Sequence, residues 1–192
     1  MNKVRLNIGG GNLPLEGYVN VDKYYYPGSK WPLTNAPRAQ EWIDGKHEGA
    51  WIFGDALHLD FPADTFDEVM MSHILEHLSM EEGNHALIEA HRVLKPGGFV
   101  TVCLPDLAKA CEMYPSVAYD PDGRDNSEWF YVMGMIYGTT GKDGEGQFHH
   151  CGYDRRFLKA RFKQREFTKV EEVPSPAYHK QEFNFCLKAY KK

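Results

Sequence analysis

Seven short runs of apolar residues along the chain predict seven β-strands. In the last of these runs Phe183, Phe185 and Leu187 alternate with polar residues, which indicates a strand with one well-covered face. The runs cover residues 3–8, 18–22, 51–53, 66–72, 99–104, 167–173 and 183–189. Because helical segments lie between several of them, the pattern predicts an open α/β sheet.

Helical periodicity appears in three places. Ser79 and Glu82 have the spacing of a capping box, and Leu87, Ala90 and Leu94 form the inward stripe of the helix that follows. The run Lys95-Pro96-Gly97-Gly98 is expected to end this helix. A second helix is expected from Ser127, and a third, basic helix is expected after Asp154, which is placed to cap it.

A glycine run follows the first predicted strand, and an acid closes the second. Only glycine lets a main chain approach a ligand closely, so Gly9, Gly10 and Gly11 indicate a binding turn. Asp22 lies beside this turn only if the two strands are parallel. The link 11–17 reaches roughly 23 Å when extended at about 3.3 Å per residue, against roughly 17 Å for a five-residue strand. A parallel crossover is therefore feasible, whereas the alternative, a hairpin, would separate Asp22 from the glycines.

Composition narrows the classes of protein. A chain of 192 residues with 42% hydrophobic residues is long enough for one domain with a sizeable core. Its net charge of −5 argues against general nucleic-acid binding. The start has no basic segment followed by an apolar run, and no run of about 18 apolar residues occurs, so we expect a cytoplasmic protein without a membrane span. The separated cysteines, Cys103, Cys111, Cys151 and Cys186, are accordingly expected to be reduced.

Six motifs in order resemble the class I S-adenosylmethionine-dependent methyltransferases. They are Asn-Ile-Gly-Gly-Gly at 7–11, Val-Asn-Val-Asp at 19–22, Gly-Asp-Ala-x-x-Leu at 54–59, Phe-Asp-x-Val at 66–69, Leu-Glu-His-Leu at 75–78 and Arg-Val-Leu-Lys-Pro-Gly-Gly at 92–98. The chain is most similar to compact predicted methyltransferases with a Gly-Tyr-x-Asn-Val-Asp second strand. The resemblance covers residues 3–106 and, more weakly, 149–190. It implies a Rossmann-like seven-stranded, mostly parallel sheet with an antiparallel last strand, a shortened first crossover and a helical insert after strand five.

The resemblance also implies a cofactor, S-adenosylmethionine, and residues to hold it. Gly9, Gly10 and Gly11 would pass under its methionine portion, and Asp22 would accept hydrogen bonds from both ribose hydroxyls. Asp55 would receive the adenine amino group, flanked by Ala56 and Leu57. Ser72 and His73 would line the side of the sulfonium. A carboxylate suits a pair of hydroxyls because the resulting hydrogen bonds are charge-assisted.

Residues 1–192 are expected to form a single methyltransferase-like domain with two inserts. The segment 23–50, rich in Pro, Gly, Tyr and Trp, has the composition of a cover over the cofactor or of a self-association surface, so a homodimer stays open. The segment 107–148 is expected to cap the substrate. We expect methyl transfer to an oxygen, or alternatively a nitrogen, of a small-molecule or glycan-like acceptor.

His149, His150 and Asp106 are the candidate proton acceptors, since an imidazole titrates near neutrality. A hydrogen-bonded structural histidine is the alternative. The sequence bears on three other functions. The glycine run does not open a helix with an acid about twenty residues on, which argues against a nicotinamide dehydrogenase. A protein of the same fold could bind the cofactor without transfer. The spacing His73-x-x-Glu76-His77 matches inverted zinc peptidases, but no third ligand is evident, so no metal is expected.

Overall fold

In the computed structural model the described residues are 3–11, 15–23, 33–34, 51–117, 122, 127–138, 147–176 and 182–192. All structural statements below refer to these residues. The predicted insert 23–50 therefore lies outside them except for Lys23 and residues 33–34. The predicted insert 107–148 is described only in part.

A single mixed sheet organises the described residues. Its eight strands lie in the order β3-β4-β2-β1-β5-β6-β8-β7. The strands are β1 (Arg5–Ile8), β2 (Val19–Asp22), β3 (Leu33–Thr34), β4 (Trp51–Phe53), β5 (Phe66–Ser72), β6 (Leu94–Pro105), β7 (Phe167–Val173) and β8 (Asn184–Lys191). Seven of them correspond to the seven predicted strands, and the two-residue β3 adds an edge strand within the segment predicted as a loop insert.

The direction of the strands confirms the predicted fold class. Strands β1 to β6 pair with one another in parallel, and β8 is antiparallel to both β6 and β7. Parallel pairing of β1 with β2 joins Ile8 to Val21, so the hairpin alternative is wrong. The first crossover is short, as predicted, because β2 begins only eleven residues after β1 ends.

Strand register gives the sheet one continuous apolar face. One row across the sheet runs Val21, Ile8, Met71, Val102 and Leu187, because each residue is paired with the next. All five are buried, and they belong to one core cluster. Burial of such a face is the main source of fold stability.

The described residues form four helices, of which the first and the last pack against the sheet. They are α1 (Met80–Val93), α2 (Leu107–Met113), α3 (Ser127–Tyr137) and α4 (Arg155–Gln164). The predicted capping box of α1 is confirmed, since Glu82 N donates to Ser79 Oγ and Ser79 N donates to Glu82 Oε2. Asp154 caps α4 by accepting from Phe157 N at 2.7 Å. Among the helices of the described residues, none is long and apolar enough to span a membrane.

The end of α1 differs from the prediction. The helix ends at Val93, and Leu94 already pairs with Phe66 as the first residue of β6. Leu94 is still buried, but as part of the sheet. Gly97 takes a left-handed φ of 78° within a register shift of β6 against β5. The helix therefore passes straight into a strand, and the Pro-Gly-Gly run lies within that strand.

The expectation that all cysteines are reduced is wrong. Cys103 of β6 lies directly opposite Cys186 of β8, and the two form a disulfide. Because the two cysteines are 83 residues apart in the sequence, the sequence alone did not show that they lie close together. Facing positions of an antiparallel pair bring β-carbons within reach of a disulfide. Cys111 and Cys151 carry free thiols.

Candidate active site

Four neighbouring parallel strands end at one edge of the sheet, and the predicted cofactor residues follow these ends. Gly9 follows β1, Asp22 closes β2, Asp55 comes two residues after β4, and Ser72 closes β5 with His73 next. The chain leaves β1 toward β2 on one side, while β5 pairs with β1 on the other side. This is a topological switch point, where open α/β sheets bind ligands. The structure therefore brings the predicted residues to one edge.

The glycine turn is fixed against β2. Gly9 N and Gly10 N both donate to Val21 O, at 2.8 and 3.2 Å. Gly9 has a left-handed φ of 72°, and a β-carbon there would lie 2.8 Å from Ile74 Cδ1. Gly9 thus needs to be glycine for two reasons, the backbone conformation and the close packing.

Gly11 differs from Gly9 in what surrounds it. Its φ is 53°, but a β-carbon would meet no atom of the described residues within 4 Å. Gly11 N donates to Asp22 Oδ2 at 2.7 Å, so the turn and the acid are directly joined. This hydrogen bond orients the Asp22 carboxylate at the end of β2. Among the described residues, therefore, nothing blocks the approach of a ligand to the main chain at Gly11.

Asp55 lies in a tight turn that continues to Leu59. Its Oδ1 accepts from Leu57 N at 3.0 Å, and its Oδ2 lies 3.1 Å from Lys23 Nζ. Although partial burial raises the pKa of Asp55, the Leu57 N–H and Lys23 outweigh it and hold the pKa below its usual value. Ala56 is buried and Leu57 is half-buried.

Glu89 and Arg92 of α1 form hydrogen bonds with the backbone of this turn and of the residues after it. The sequence did not predict this role. Leu59 N donates to Glu89 Oε2 at 2.8 Å, while Arg92 donates to the carbonyl oxygens of Leu59 and Phe61. Arg92 also forms two hydrogen bonds with Glu89. The arginine of the Arg-Val-Leu-Lys-Pro-Gly-Gly motif thus positions the segment after Asp55. The only sequence signal was its fixed place in that motif.

The segment after β5 has an unusual backbone. His73 takes a left-handed φ of 53°, although it is not glycine, and its N–H donates to Cys103 O at 2.9 Å. Its Nδ1 lies 3.1 Å from Glu76 Oε1. Such a conformation in a non-glycine residue costs of order 1–3 kcal/mol and often occurs at functional sites. Ser72 is half-buried at the end of β5.

The predicted proton acceptors have different surroundings. Asp106 is buried, its Oδ1 accepts from Lys109 N as the cap of α2, and its Oδ2 pairs with Arg155 Nη1. These contacts favour a structural role for Asp106. His150 is exposed, and its N–H donates to Glu76 O at 2.7 Å.

His149 is half-buried, and its Nδ1 lies 3.1 Å from Met135 O. Burial lowers the pKa of His149, and the Glu76 carboxylate offsets this only in part. The imidazole is therefore neutral near pH 7 and able to accept a proton. Of the three candidates, His149 has the surroundings that best suit proton transfer.

Glu76 and His77, the last two residues of the zinc-peptidase spacing, lie close to His149. One ligand atom each of Glu76, His77 and His149 lie within 4.8 Å of one another. Although complete burial raises the pKa of Glu76, His73 and His77 hold it below its usual value. His73, the first histidine of the zinc-peptidase spacing, is not part of this group. His149 joins it from a segment 72 residues further along the chain.

Comparison with known sequences agrees with this fold. A methyltransferase-domain family model matches residues 33–102. A demethylmenaquinone methyltransferase of Streptomyces avermitilis is 42% identical over 62 residues, which cover 31% of this chain and 26% of that protein. An uncharacterized methyltransferase of Schizosaccharomyces pombe is 44% identical over 62 residues, 32% of this chain and 21% of that protein. The matched segment thus spans about a quarter of the length of these relatives.

Solved structures share this fold. A protein of Pyrococcus horikoshii superposes with a TM-score of 0.61 at 18% identity, over 100% of this chain and 83% of that one. The Burkholderia thailandensis 1,6-didemethyltoxoflavin-N1-methyltransferase, solved with S-adenosylhomocysteine, gives a TM-score of 0.57 at 19% identity, over 99% and 71%. The chain therefore shares its fold with solved structures that include a methyltransferase, and residues 33–102 match a methyltransferase-domain model.

Proposed function

We propose that this protein transfers a methyl group from S-adenosylmethionine to an oxygen, or alternatively a nitrogen, of a small molecule. The observation that carries the proposal is the 2.7 Å hydrogen bond from Gly11 N to Asp22 Oδ2 at the tips of two neighbouring parallel strands. It places a bare main-chain turn and an oriented carboxylate side by side. A nucleoside with an attached amino acid needs both, at adjacent positions.

The remaining cofactor contacts follow the order of the strands. Asp22 would accept from the ribose hydroxyls, and Asp55 with Ala56 and Leu57 would receive the adenine one strand further out. Gly9, Gly10 and Gly11 would carry the methionine portion. Ser72 and His73 would line the sulfonium on the opposite side of β1. The ion pair of Asp55 with exposed Lys23 supports an ionised acceptor at the adenine position.

The chemistry needs alignment and one proton acceptor. The acceptor oxygen attacks the methyl carbon, a C–O bond forms, and the C–S bond breaks. The sulfur keeps the electron pair of that bond, which leaves S-adenosylhomocysteine. The hydroxyl proton goes to a base, for which neutral His149 is the first candidate and His150 the second. Because the sulfonium is already electrophilic, holding donor and acceptor in line supplies most of the acceleration.

The acceptor class rests on the names of similar proteins. Those names specify demethylmenaquinone and 1,6-didemethyltoxoflavin, both small molecules. We therefore extend the proposal to a small-molecule acceptor, with a glycan-like hydroxyl as an alternative. A homodimer through the segment 23–50 stays a prediction, as do the cytoplasmic location and the single-domain boundaries 1–192.

Calorimetry on the purified chain tests cofactor binding. We expect S-adenosylhomocysteine and S-adenosylmethionine to bind, and Asp22→Asn to weaken binding about 10- to 100-fold, since it removes charge-assisted hydrogen bonds. Asp60→Asn is the matched control, because Asp60 is an exposed acid near the same edge. Absence of binding by wild type at about 1 mM ligand, equivalent to about −4 kcal/mol, would reject the proposal.

A screen with S-adenosylmethionine carrying a deuterated methyl group tests transfer. Mass spectrometry should find the label in an acceptor and an equal amount of S-adenosylhomocysteine. Binding without label transfer across small hydroxyl, amine and sugar acceptors would favour a protein that binds the cofactor without catalysis. Consumption of the cofactor with no acceptor present would indicate a different reaction at the same site.

A further inference from the structure

We propose that Glu76, His77 and His149 form a binding site for a divalent cation of the Zn²⁺, Co²⁺ and Mn²⁺ class. One ligand atom of each side chain lies within 4.8 Å of the other two, so a single ion can contact all three after small movements. Two imidazoles and one carboxylate are a ligand set that such ions accept. Three protein ligands leave a coordination position for water or for an oxygen of another molecule.

Both histidines make, through Nδ1, the contact with a carbonyl oxygen that is typical of metal-binding histidines. Nδ1 of His77 lies 3.1 Å from Phe148 O, and Nδ1 of His149 lies 3.1 Å from Met135 O. A carbonyl oxygen can only accept, so each Nδ1 carries the proton and each Nε2 keeps its lone pair. Histidines that bind metals typically donate their other ring N–H to a carbonyl or carboxylate in this way. The two rings meet edge to face, with centroids 4.9 Å apart.

Glu76 provides an independent indication of a ligand. Its side chain is only 2% exposed, yet neither carboxylate oxygen has a hydrogen-bond donor of good geometry among the described residues. Nδ1 of His73 lies 3.1 Å from Oε1, a distance within ion-pair range, but the pair does not have the geometry of a hydrogen bond. Leaving a buried carboxylate without hydrogen bonds is costly. A bound cation would satisfy these oxygens.

The backbone fixes the ligands before any ion arrives. His150 N and Cys151 N both donate to Glu76 O, at 2.7 and 3.2 Å. His149 N donates to Tyr137 O at the end of α3, at 3.0 Å. The segment that carries His149 is therefore tied to the turn that carries Glu76 and His77, which limits the entropy lost on binding.

A cation here would lie beside His73, on the side of the cleft assigned to the sulfonium. This step rests on the proposed function. An acceptor hydroxyl bound to the ion would lose its proton more readily, because a divalent cation lowers the pKa of a coordinated oxygen. In that state His149 would act as a ligand, and the proton could leave to water.

Metal binding is measured on the untagged full chain after dialysis against a chelator, without cofactor. Titration with Zn²⁺ should show one ion per chain by calorimetry, and Co²⁺ should give visible absorption bands that Zn²⁺ abolishes. Glu76→Gln and His149→Gln should each weaken binding by about 100-fold or more, since loss of a supporting contact alone costs about 10- to 100-fold. His77→Gln, at a half-buried position, provides a third variant should either of the others fail to fold.

Two controls separate this site from other ligands. His85→Gln changes an exposed histidine of α1 and should leave binding intact. Cys111→Ser removes an exposed thiol and should also leave it intact. Binding that is insensitive to the three site variants, or lost in Cys111→Ser, would overturn the proposal. Binding of S-adenosylhomocysteine to chelator-treated protein tests the proposed function separately.

Discussion

Asn7 of β1 and Asn20 of β2 are joined by a buried hydrogen bond, from Nδ2 of Asn7 to Oδ1 of Asn20 at 2.8 Å. The same Oδ1 accepts from Leu15 N, and Nδ2 of Asn20 donates to the carbonyl oxygens of Leu15 and Tyr18. Asn20 thereby replaces the hydrogen bonds that a crossover helix would otherwise provide to this short link. It ties Leu15 and Tyr18, which lead into β2, to the two strands.

Replacement of Asn20 by alanine should destabilise the fold more than replacement of Asn7. Asn20→Ala leaves four polar groups without their partner, whereas Asn7→Ala removes a single hydrogen bond. We expect losses of about 2–4 and about 1 kcal/mol in the free energy of unfolding, respectively. Urea unfolding followed by circular dichroism measures both. Equal losses would contradict the role of Asn20 as the anchor of the link.

The sequence predicted the strands and their ends better than the contacts between side chains. Apolar runs and the glycines at 9–11 act locally, so they identify β1 and its turn without knowledge of the partner strands. The Asn7 to Asn20 hydrogen bond and the Cys103 to Cys186 disulfide depend on register, which a single sequence does not specify. Two members of the cluster of Glu76, His77 and His149 were indicated by the spacing His73-x-x-Glu76-His77. Its third member lies in a segment whose position depends on tertiary contacts.

Glycine replacements should separate packing from ligand approach. Gly9→Ala adds a β-carbon 2.8 Å from Ile74 Cδ1 at a left-handed φ, so we expect a loss of about 2–4 kcal/mol in stability. Gly11→Ala meets only the conformational penalty, about 1–2 kcal/mol, but projects a methyl group into the proposed cofactor cleft. Thermal unfolding and S-adenosylhomocysteine titration together check this. Gly11→Ala should weaken binding while the protein stays folded; unchanged affinity would remove Gly11 from the site.

Loss of the contact between Glu89 and the Asp55 turn should loosen that turn. Glu89→Gln weakens the charge-assisted hydrogen bonds to Arg92 and to Leu59 N, so we expect faster amide exchange at 55–61 and a few-fold weaker cofactor binding. Hydrogen exchange followed by mass spectrometry reports the first effect. Glu112→Gln is the matched control, because Glu112 forms an exposed pair with Lys109 at the same i, i+3 spacing. A similar exchange pattern in both variants would argue against the positioning role.

Thiol counting should detect the disulfide. Denatured, unreduced protein should take up two equivalents of a thiol reagent, at Cys111 and Cys151, and four after reduction. Peptide mapping should find Cys103 linked to Cys186. The Cys103→Ser and Cys186→Ser double variant should be less stable by about 2–4 kcal/mol than the unreduced protein, since the bond closes a loop of 83 residues. Four reactive thiols before reduction would contradict this pairing under the conditions used.

Removal of the His149 imidazole should abolish turnover and spare cofactor binding. Whether His149 accepts the proton or holds a cation, His149→Ala leaves the glycine turn and Asp22 untouched, so calorimetry with S-adenosylhomocysteine should match wild type. Burial lowers the pKa of His149 from its ordinary value of 6.5, so the imidazole stays neutral to a lower pH than a free imidazole does. In wild type, the fall of kcat/KM on the acid side should therefore occur at a lower pH than it would for an unshifted histidine. His150→Ala provides the comparison. His150 is exposed, and its described hydrogen bond to Glu76 is made by the backbone N–H, which the substitution keeps. Unchanged activity in both variants would exclude both histidines as the proton acceptor, and loss only in His150→Ala would transfer the role to His150.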